Sequence, residues 1–125
     1  MQIRKATIRD FPAIRALIRS YPDTLLQNHL PKPAAFFVAV HELRIVGCCA
    51  LEIYSKRLAE VRSLAVHEKF QGKGFATQLV EQCIKHARKK KVYEILTITS
   101  ELPFFEKRGF NTFNKEKYAL LKILG

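Results

Sequence analysis

A glycine-bearing turn at residues 71–76 is the stretch of this sequence with the clearest chemistry. It reads Gln71-Gly72-Lys73-Gly74-Phe75-Ala76. The alternating segment before it predicts a strand, and the helical spacing of apolar residues after it predicts a helix. Several backbone N–H groups at such a helix start lack intrahelical partners and point the same way, which favours an anion such as phosphate. The turn therefore predicts a binding site for a phosphorylated ligand.

Two common phosphate-binding turns do not fit these residues. A P-loop requires Lys and then Ser or Thr after its last glycine, whereas Phe75 and Ala76 follow Gly74. The dinucleotide-binding turn requires a third small residue, where this sequence has Thr77. The spacing of Gln71, Gly74 and Ala76 instead matches the pattern Gln/Arg-x-x-Gly-x-Gly/Ala.

That pattern resembles the pyrophosphate-binding loop of the GNAT superfamily of N-acetyltransferases, which hold acetyl-coenzyme A (acetyl-CoA). Further segments resemble the superfamily in the same order, over roughly the whole chain. They are residues Ile3–Thr7 with Asp10–Ile14, Val46–Cys48, Leu64–His67 and Phe104–Phe110. Within the superfamily the chain is most similar to the acetyltransferase domain of N-acetylglutamate synthases. That closer similarity lies in Ala59–Val66, Leu96–Thr99, Phe104-Phe105 and Gly109-Phe110.

The resemblance implies that acetyl-CoA is the co-substrate and that backbone groups hold it. In the family, the strand before the loop pairs with the pantetheine arm like an added strand. This role falls on the main chain of Leu64, Ala65 and Val66. The pyrophosphate loop falls on Gln71, Gly72, Lys73, Gly74, Phe75, Ala76 and Thr77. The alternative interpretation is an ordinary central strand followed by an ordinary helix start.

Glu60 is the candidate general base, because several family members use a glutamate at this place in the same strand to take a proton from the amine. Arg62 lies two residues on, so both side chains share one face of the strand. Two roles are open for Arg62: it keeps Glu60 ionised, or it holds a carboxylate of the substrate. The alternative for both residues is an ordinary ion pair on a strand.

The general acid that would protonate the leaving thiolate is harder to assign. Many family members carry a tyrosine just before the Glu-Lys-x-Gly-Phe signature, where this sequence has Phe105, which has no proton to give. Domains like those of N-acetylglutamate synthases often have Phe there. Ser100 is our candidate, acting directly or through water, and Tyr118 is an alternative. A third alternative is an unassisted thiolate, since thiols ionise at about pH 8.5.

The order of elements predicts an α/β (α+β) domain. Strands are predicted at residues 2–8, 35–40, 44–54, 58–67, 92–98, 110–113 and 118–124. Helices are predicted after Asp10 and at residues 23–29, 74–90 and 102–107. Short connections predict an antiparallel meander over 35–67, and the strand–helix–strand order makes 92–98 a parallel neighbour. The resemblance implies a mixed, mostly antiparallel central sheet flanked by helices and splayed after the fourth strand, with coenzyme A in the gap.

The bulk properties predict one domain, residues 1–125, in the cytoplasm. The length of 125 residues and a hydrophobic content of 48% suit one core. No apolar run approaches the ~20 residues that cross a bilayer, and the first residues lack the apolar stretch of a signal peptide. The three cysteines, Cys48, Cys49 and Cys83, have the spacing of neither a disulfide framework nor a zinc site. We therefore predict core thiols and no metal.

The net charge of +11 is compatible with an anionic ligand, with nucleic acid, or with solubility alone. The densest cluster, Arg88–Lys91, falls at the predicted end of a helix, where cations suit the helix dipole. No aromatic residues are interleaved with these basic ones. We therefore predict a small-molecule amine substrate with no nucleic-acid or membrane partner, and we leave a homodimer open.

Three functions compete for this sequence. The first is a small-molecule N-acetyltransferase, with an amino acid such as glutamate as the favoured acceptor. The second is a protein or peptide N-acetyltransferase of the same fold, and the third is a non-enzymatic nucleic-acid-binding module, suggested by charge alone. The segment 24–30 departs from the synthases, which often have arginine near Gln27. An acceptor carboxylate would then need Arg62, Lys32 or Arg4.

Overall fold

A central sheet of five strands organises the computed structural model, which describes residues 2–112 and 120–125. The strands are β1 (Gln2–Lys5), β2 (Phe36–His41), β3 (Arg44–Ile53), β4 (Leu58–Val66) and β5 (Glu94–Thr97). The helices are α1 (Phe11–Arg19), α2 (Phe75–Lys89) and α3 (Leu102–Glu106). Turns of 3-10 helix cover Ile8–Asp10, Pro33–Ala35 and Glu68–Phe70.

The strands lie in the sheet in the order of the chain. Neighbours from β1 to β4 are antiparallel, and β5 runs parallel to β4. Pairing between these last two strands covers only Leu58–Val61 and Glu94–Thr97, so the rest of β4 diverges from β5. This confirms the predicted fold class: a mixed, mostly antiparallel sheet that splays after its fourth strand.

One helix covers each face of the sheet, because the central strands carry apolar side chains on both faces. Ile14 and Ile18 of α1 pack on one face. Leu79 and Val80 of α2 pack on the other. A β-carbon at Gly47 would lie 3.0 Å from Leu79 Cδ1, so glycine at this position lets α2 approach β3 closely.

The three cysteines are buried and free, as expected of core residues. Within residues 2–112 and 120–125, no group of three or more His, Cys, Asp or Glu side chains could hold a metal ion. The helices of the same residues are too short and too polar to cross a membrane.

The first strand ends at Lys5, earlier than predicted, because the chain turns at Thr7. The carboxylate of Asp10 accepts hydrogen bonds from the Thr7 backbone N–H at 2.7 Å and from Arg4 at 2.7 and 3.1 Å. Asp10 does precede α1, as the sequence predicts, but its side chain makes no capping bond to that helix. It ties the start of α1 to β1 instead.

The predicted helix at residues 23–29 is wrong. Residues 21–30 form turns and bends. The side-chain amide of Gln27 donates to the carbonyls of Ile18, Tyr21 and Leu25 at 2.9, 3.3 and 3.1 Å. These bonds satisfy carbonyls at the end of α1 and in the turn that follows, so the segment needs no helix of its own.

The two predicted C-terminal strands are also not formed in the described residues. Residues 110–112 and 120–125 are irregular, whereas Phe113 and Tyr118 lie outside the described residues. After Gly109 closes α3 with a φ of 90°, Phe110 packs on Phe105 instead of entering the sheet. The apolar side chains at 120–124 remain exposed, since no described strand pairs with them. Their apolar character is therefore a strand preference without a sheet partner among the described residues.

The ion pair between Arg4 and Asp10 should make stability depend on pH. The hydrogen bonds from Arg4 lower the pKa of Asp10 to about 2. The folded chain thus holds this carboxylate ionised below its ordinary pKa of about 3.9. The contribution of the ionised Asp10 carboxylate to the free energy of unfolding is complete above pH ~4 and is lost as the pH falls from about 4 to 2. We expect Asp10→Asn to lower the free energy of unfolding at pH 7 by about 1–2 kcal/mol.

Urea unfolding of both proteins at pH 7 and pH 2.5 measures this difference. The gap between wild type and variant should shrink at the lower pH. A gap of the same size at both pH values would show that Arg4 and Asp10 do not stabilise the fold through their charges.

Candidate active site

The point where β4 leaves β5 is also where β4 carries a β-bulge. Cys48 pairs with Ala65 and Ala50 pairs with Arg62, so one residue of β3 faces two of β4. Ser63, within the bulge, has a φ of 56°, a left-handed value that a non-glycine residue adopts at a cost of about 1–3 kcal/mol. The bulge shifts the alternation of side chains, and it redirects backbone groups of β4 toward the gap.

The carbonyl of Val66 faces this gap. The N–H of His67 donates to Val46 in β3 at 2.8 Å. Because N–H and C=O of one trans peptide point in opposite directions, the Val66 carbonyl points away from β3. It accepts hydrogen bonds from the Tyr21 hydroxyl and from Gln71 Nε2, the latter at 3.1 Å. Gln71 also donates to the Tyr21 hydroxyl oxygen at 2.8 Å.

A cavity of about 200 Å³ occupies the gap between the diverging strands. One wall is the stretch Val61–Val66 of β4, and the other is residues 97–101 after β5, with Phe105 of α3. Tyr21, Thr24 and Leu25 cover it from the side of α1. At the apex of the gap, the Thr97 hydroxyl donates to the Val61 carbonyl at 3.0 Å. That bond satisfies the carbonyl at which strand pairing ends.

The glycine-bearing turn forms a second cavity, of about 440 Å³, at the start of α2. Gly72 and Gly74 have φ values of 76° and 88°, and a β-carbon at either would meet no heavy atom within 4 Å. The first intrahelical bond runs from Gln78 N–H to the Gly74 carbonyl. The N–H groups of residues 75–77 therefore have no acceptor within the helix, as at the start of any α-helix. Open space in front of these groups suits an anion.

Two cations from the turn after α3 line the second cavity. They are Lys107 and Arg108. The Arg108 guanidinium donates to the Thr77 hydroxyl and to the Phe104 carbonyl, the latter at 2.7 Å, and it stacks 3.9 Å from the Phe104 ring centroid. Arg108 thus fixes α3 against the first turn of α2. Its charge adds to the helix dipole in favouring an anion here.

Three side chains of β3 and β4 and that of Tyr54, which directly follows β3, form two separate pairs on the α1 face of the sheet. Glu52 and Glu60 are direct cross-strand partners. Arg62 donates to Glu52 at 3.2 Å and to the His29 carbonyl at 3.1 Å. The Tyr54 hydroxyl donates to Glu60 at 2.5 Å. Since like charges directly opposite each other destabilise a sheet, a separate donor for each carboxylate makes this arrangement tolerable.

This arrangement raises the pKa of Tyr54 above its ordinary value. Partial burial is the main cause, followed by the hydrogen bond to Glu60 and the negative charges of Glu60 and Glu52. Tyr54 therefore stays protonated and remains a donor to Glu60 through the pH range in which enzymes are usually assayed.

A covalent acyl-cysteine is not favoured by the cysteine nearest the bulge. Cys48 lies behind Ser63, and its thiol contacts the Ser63 carbonyl at 3.5 Å. Burial raises the pKa of the Cys48 thiol to about 12. The thiolate is the nucleophilic form, so this residue is a poor nucleophile.

The structure brings most of the predicted residues to the two cavities. Leu64, Ala65, Val66, Arg62 and Ser100 line the first cavity. Gly72, Gly74, Phe75, Ala76 and Thr77 line the second. Val66 and Gln71 line both. Lys73 and Glu60 lie outside the linings, with Glu60 next to Val61 at the edge of the first cavity, and the alternative acid Tyr118 lies outside the described residues. Arg62 donates to Glu52, the cross-strand neighbour of Glu60, and its role toward Glu60 or a substrate carboxylate stays a prediction.

Sequence reasoning missed two side chains that line these cavities, Tyr21 and Arg108, and one that donates to Glu60 beside them, Tyr54. Neither tyrosine was given a role in the sequence analysis. Strand alternation could have found Tyr54, because an antiparallel β3–β4 pair puts residues 52, 54, 60 and 62 on one face. Arg108 lies within Phe104–Phe110, one of the segments that resemble the superfamily. Its contact with Thr77 spans 31 positions, and no local pattern predicts it.

The profile of the Acetyltransferase (GNAT) family matches residues 2–110 of this chain. An amino-acid acetyltransferase from Mycobacterium tuberculosis is 32% identical over 116 residues, which are 86% of this chain and 67% of that protein.

Two solved structures with bound coenzyme A are similar. Rv2747 from Mycobacterium tuberculosis, in complex with CoA, has a TM-score of 0.85 and 30% identity, covering 90% of this chain and 73% of that one. N-acetylglutamate synthase from Neisseria gonorrhoeae, complexed with coenzyme A and N-acetyl-glutamate, has a TM-score of 0.81 and 28% identity. The similarity covers 90% of this chain but 28% of that synthase. With a family match that spans the sheet, the bulge and both cavities, the chain belongs to the acetyltransferase (GNAT) family.

Proposed function

We propose that this acetyltransferase moves the acetyl group of acetyl-CoA to the α-amine of a small amino acid, with glutamate as the first candidate. The observation that carries the proposal is that the two cavities adjoin, because Val66 and Gln71 line both. One cavity suits phosphate, and the other is a narrow gap beside free edge groups of a strand. A long substrate with an anionic end and a thioester end fits that shape.

Acetyl-CoA would be held by backbone groups at its diphosphate and along its arm. The N–H groups of residues 75–77 would bind the diphosphate, with Lys107 and Arg108 supplying positive charge. The open edge of β4 from Leu64 to Val66 would pair with the pantetheine arm. Both similar structures named above contain coenzyme A, which supports this assignment of the substrate.

Glu60 is the proposed base. Glu60 directly precedes Val61, the first β4 residue of the cavity wall. Its carboxylate would therefore take the proton of the amine through water. Tyr54 holds one carboxylate oxygen of Glu60 at 2.5 Å, which leaves the second oxygen for that water. Ser100, the residue that the sequence analysis offers for protonating the thiolate directly or through water, lies on the opposite wall.

A small carboxylated acceptor is favoured by the cover of the first cavity. The cavity is closed on one side by Tyr21, Thr24 and Leu25. A peptide acceptor would need that side open in order to lie across the gap. Arg62 lines the same cavity and has donors left after its bonds to Glu52 and His29. Its guanidinium would hold the acceptor carboxylate and direct the α-amine toward the thioester. Cytoplasmic location, a homodimer and the lack of a nucleic-acid partner stay predictions.

A charge placed at Gly74 should abolish acetyl-CoA binding. Gly74→Glu puts a carboxylate in front of the anion-binding N–H groups, whereas Gly74→Ala carries the same backbone strain without the charge. Isothermal titration with acetyl-CoA should detect binding to Gly74→Ala and none to a folded Gly74→Glu protein. Equal affinities of the two variants would remove this turn from the phosphate site.

Glu60→Gln should slow turnover by about 10²-fold or more, because loss of a general base costs that much. The affinity for coenzyme A should stay nearly unchanged, and the deficit should be largest below pH 8. Glu94→Gln is the matched control, since Glu94 bonds to Arg57 on the exposed edge at 3.2 Å and lines neither cavity. A wild-type rate and pH profile in Glu60→Gln would make Glu60 a structural residue.

Arg62→Lys should raise KM for the acceptor about tenfold, equivalent to ~1.4 kcal/mol, while the affinity for coenzyme A changes little. Lys lacks the planar fork that binds a carboxylate through two N–H groups. Coenzyme A release is measured with amino acids, polyamines and N-terminal peptides, with Arg57→Lys as the control. Activity confined to polyamines or peptides would refute the amino-acid acceptor and leave the acetyltransferase family assignment intact.

A further inference from the structure

The hydroxyl of Tyr21 is oriented toward the open edge of β4. Tyr21 follows α1, and its side chain covers the first cavity. Its hydroxyl donates to the Val66 carbonyl and accepts a hydrogen bond from Gln71 Nε2 at 2.8 Å. The phenolic proton therefore points at the strand edge beside which the thioester arm would lie.

The cavity offers few other groups that could protonate a thiolate. Phe105 has no proton to give and lines the same cavity. The remaining hydroxyls of the described lining are aliphatic, on Thr24, Ser63, Thr97, Thr99 and Ser100. A phenol ordinarily ionises near pH 10 and a thiol near pH 8.5, whereas aliphatic alcohols ionise far higher. The pKa of a phenol is thus much closer to the pKa of a thiol than the pKa of an aliphatic alcohol is.

We propose that Tyr21 is the general acid of the transfer, which gives its proton to the departing thiolate; this rests on the proposed function. The amine nitrogen bonds to the carbonyl carbon, and the C–S bond breaks with its electron pair going to sulfur. The phenolic proton moves to sulfur and yields the free thiol. The amine proton leaves to Glu60 through water, and the Tyr21 oxygen, held by the Gln71 N–H, is reprotonated from solvent.

The hydrogen bonds at Val66 explain how Tyr21 becomes available. A carbonyl oxygen has two lone pairs, and Tyr21 and Gln71 use both. When an amide N–H of the pantetheine arm donates to the Val66 carbonyl, it replaces one of these two donors. The Tyr21 hydroxyl, once released, remains anchored by Gln71 and turns its proton to the neighbouring sulfur.

Tyr21→Phe tests the proposal, because it keeps the ring and removes the proton. The single-turnover rate of acetyl transfer should fall about 10²-fold or more, while the dissociation constant for coenzyme A and the melting temperature stay close to wild type. Tyr93→Phe is the matched control, because Tyr93 is 81% exposed and lines neither cavity, and it should keep the wild-type rate. A second tyrosine placed at the position many relatives use should restore transfer, so Tyr21→Phe with Phe105→Tyr should recover at least tenfold.

Three results would overturn the proposal. The first is a wild-type transfer rate in Tyr21→Phe. The second is a loss of coenzyme A affinity in that variant with no fall in the single-turnover rate, which would make Tyr21 a binding residue. The third is a fall in rate for Tyr93→Phe as large as that for Tyr21→Phe. A wild-type protein that releases no coenzyme A with any amine would overturn the proposed function as well, whereas the three results above leave it standing.

Discussion

The end of backbone pairing between β4 and β5 is the constraint on which the candidate site depends. Peptide groups away from water need partners, and β5 supplies them to β4 only as far as Val61. The Thr97 hydroxyl satisfies the carbonyl at that point, and Tyr21 and Gln71 satisfy the carbonyl of Val66 farther along. Side chains thus occupy places that a neighbouring strand would fill. A substrate with amide groups along its arm can replace them, which is why the gap suits pantetheine.

Charge is arranged in two zones along this gap. At the α2 end, helix N–H groups with Lys107 and Arg108 favour an anion. On the α1 face, Glu52 and Glu60 lie side by side, and each is matched by its own donor. Part of the excess positive charge of the chain thus lies at the end that favours an anion. At the other end, the Arg62–Glu52 and Tyr54–Glu60 pairs hold the groups for which we propose acceptor binding and proton transfer.

The sequence predicted the fold well because its main signals are local. A buried apolar run predicted β2, hydrophobic alternation predicted β4, and the glycine-bearing turn predicted the start of α2. The failures arise from contacts between distant residues or from missing partners. Gln27 satisfies carbonyls of α1 without forming a helix, and the apolar residues 120–124 have no described strand to pair with. The bulge at Ser63 and the contacts of Tyr21 and Arg108 depend on how elements pack, so periodicity could not predict them.

Backbone hydrogen exchange of the whole chain, with and without acetyl-CoA, is the most direct test of the central claim that one substrate occupies both cavities. The account predicts slower exchange at Val66 on the open edge of β4 and at residues 75–77 at the start of α2, with little change in β1 and β2. Slower exchange confined to the basic end of α2 near Arg88–Lys91, or none at Val66 and residues 75–77, would contradict it.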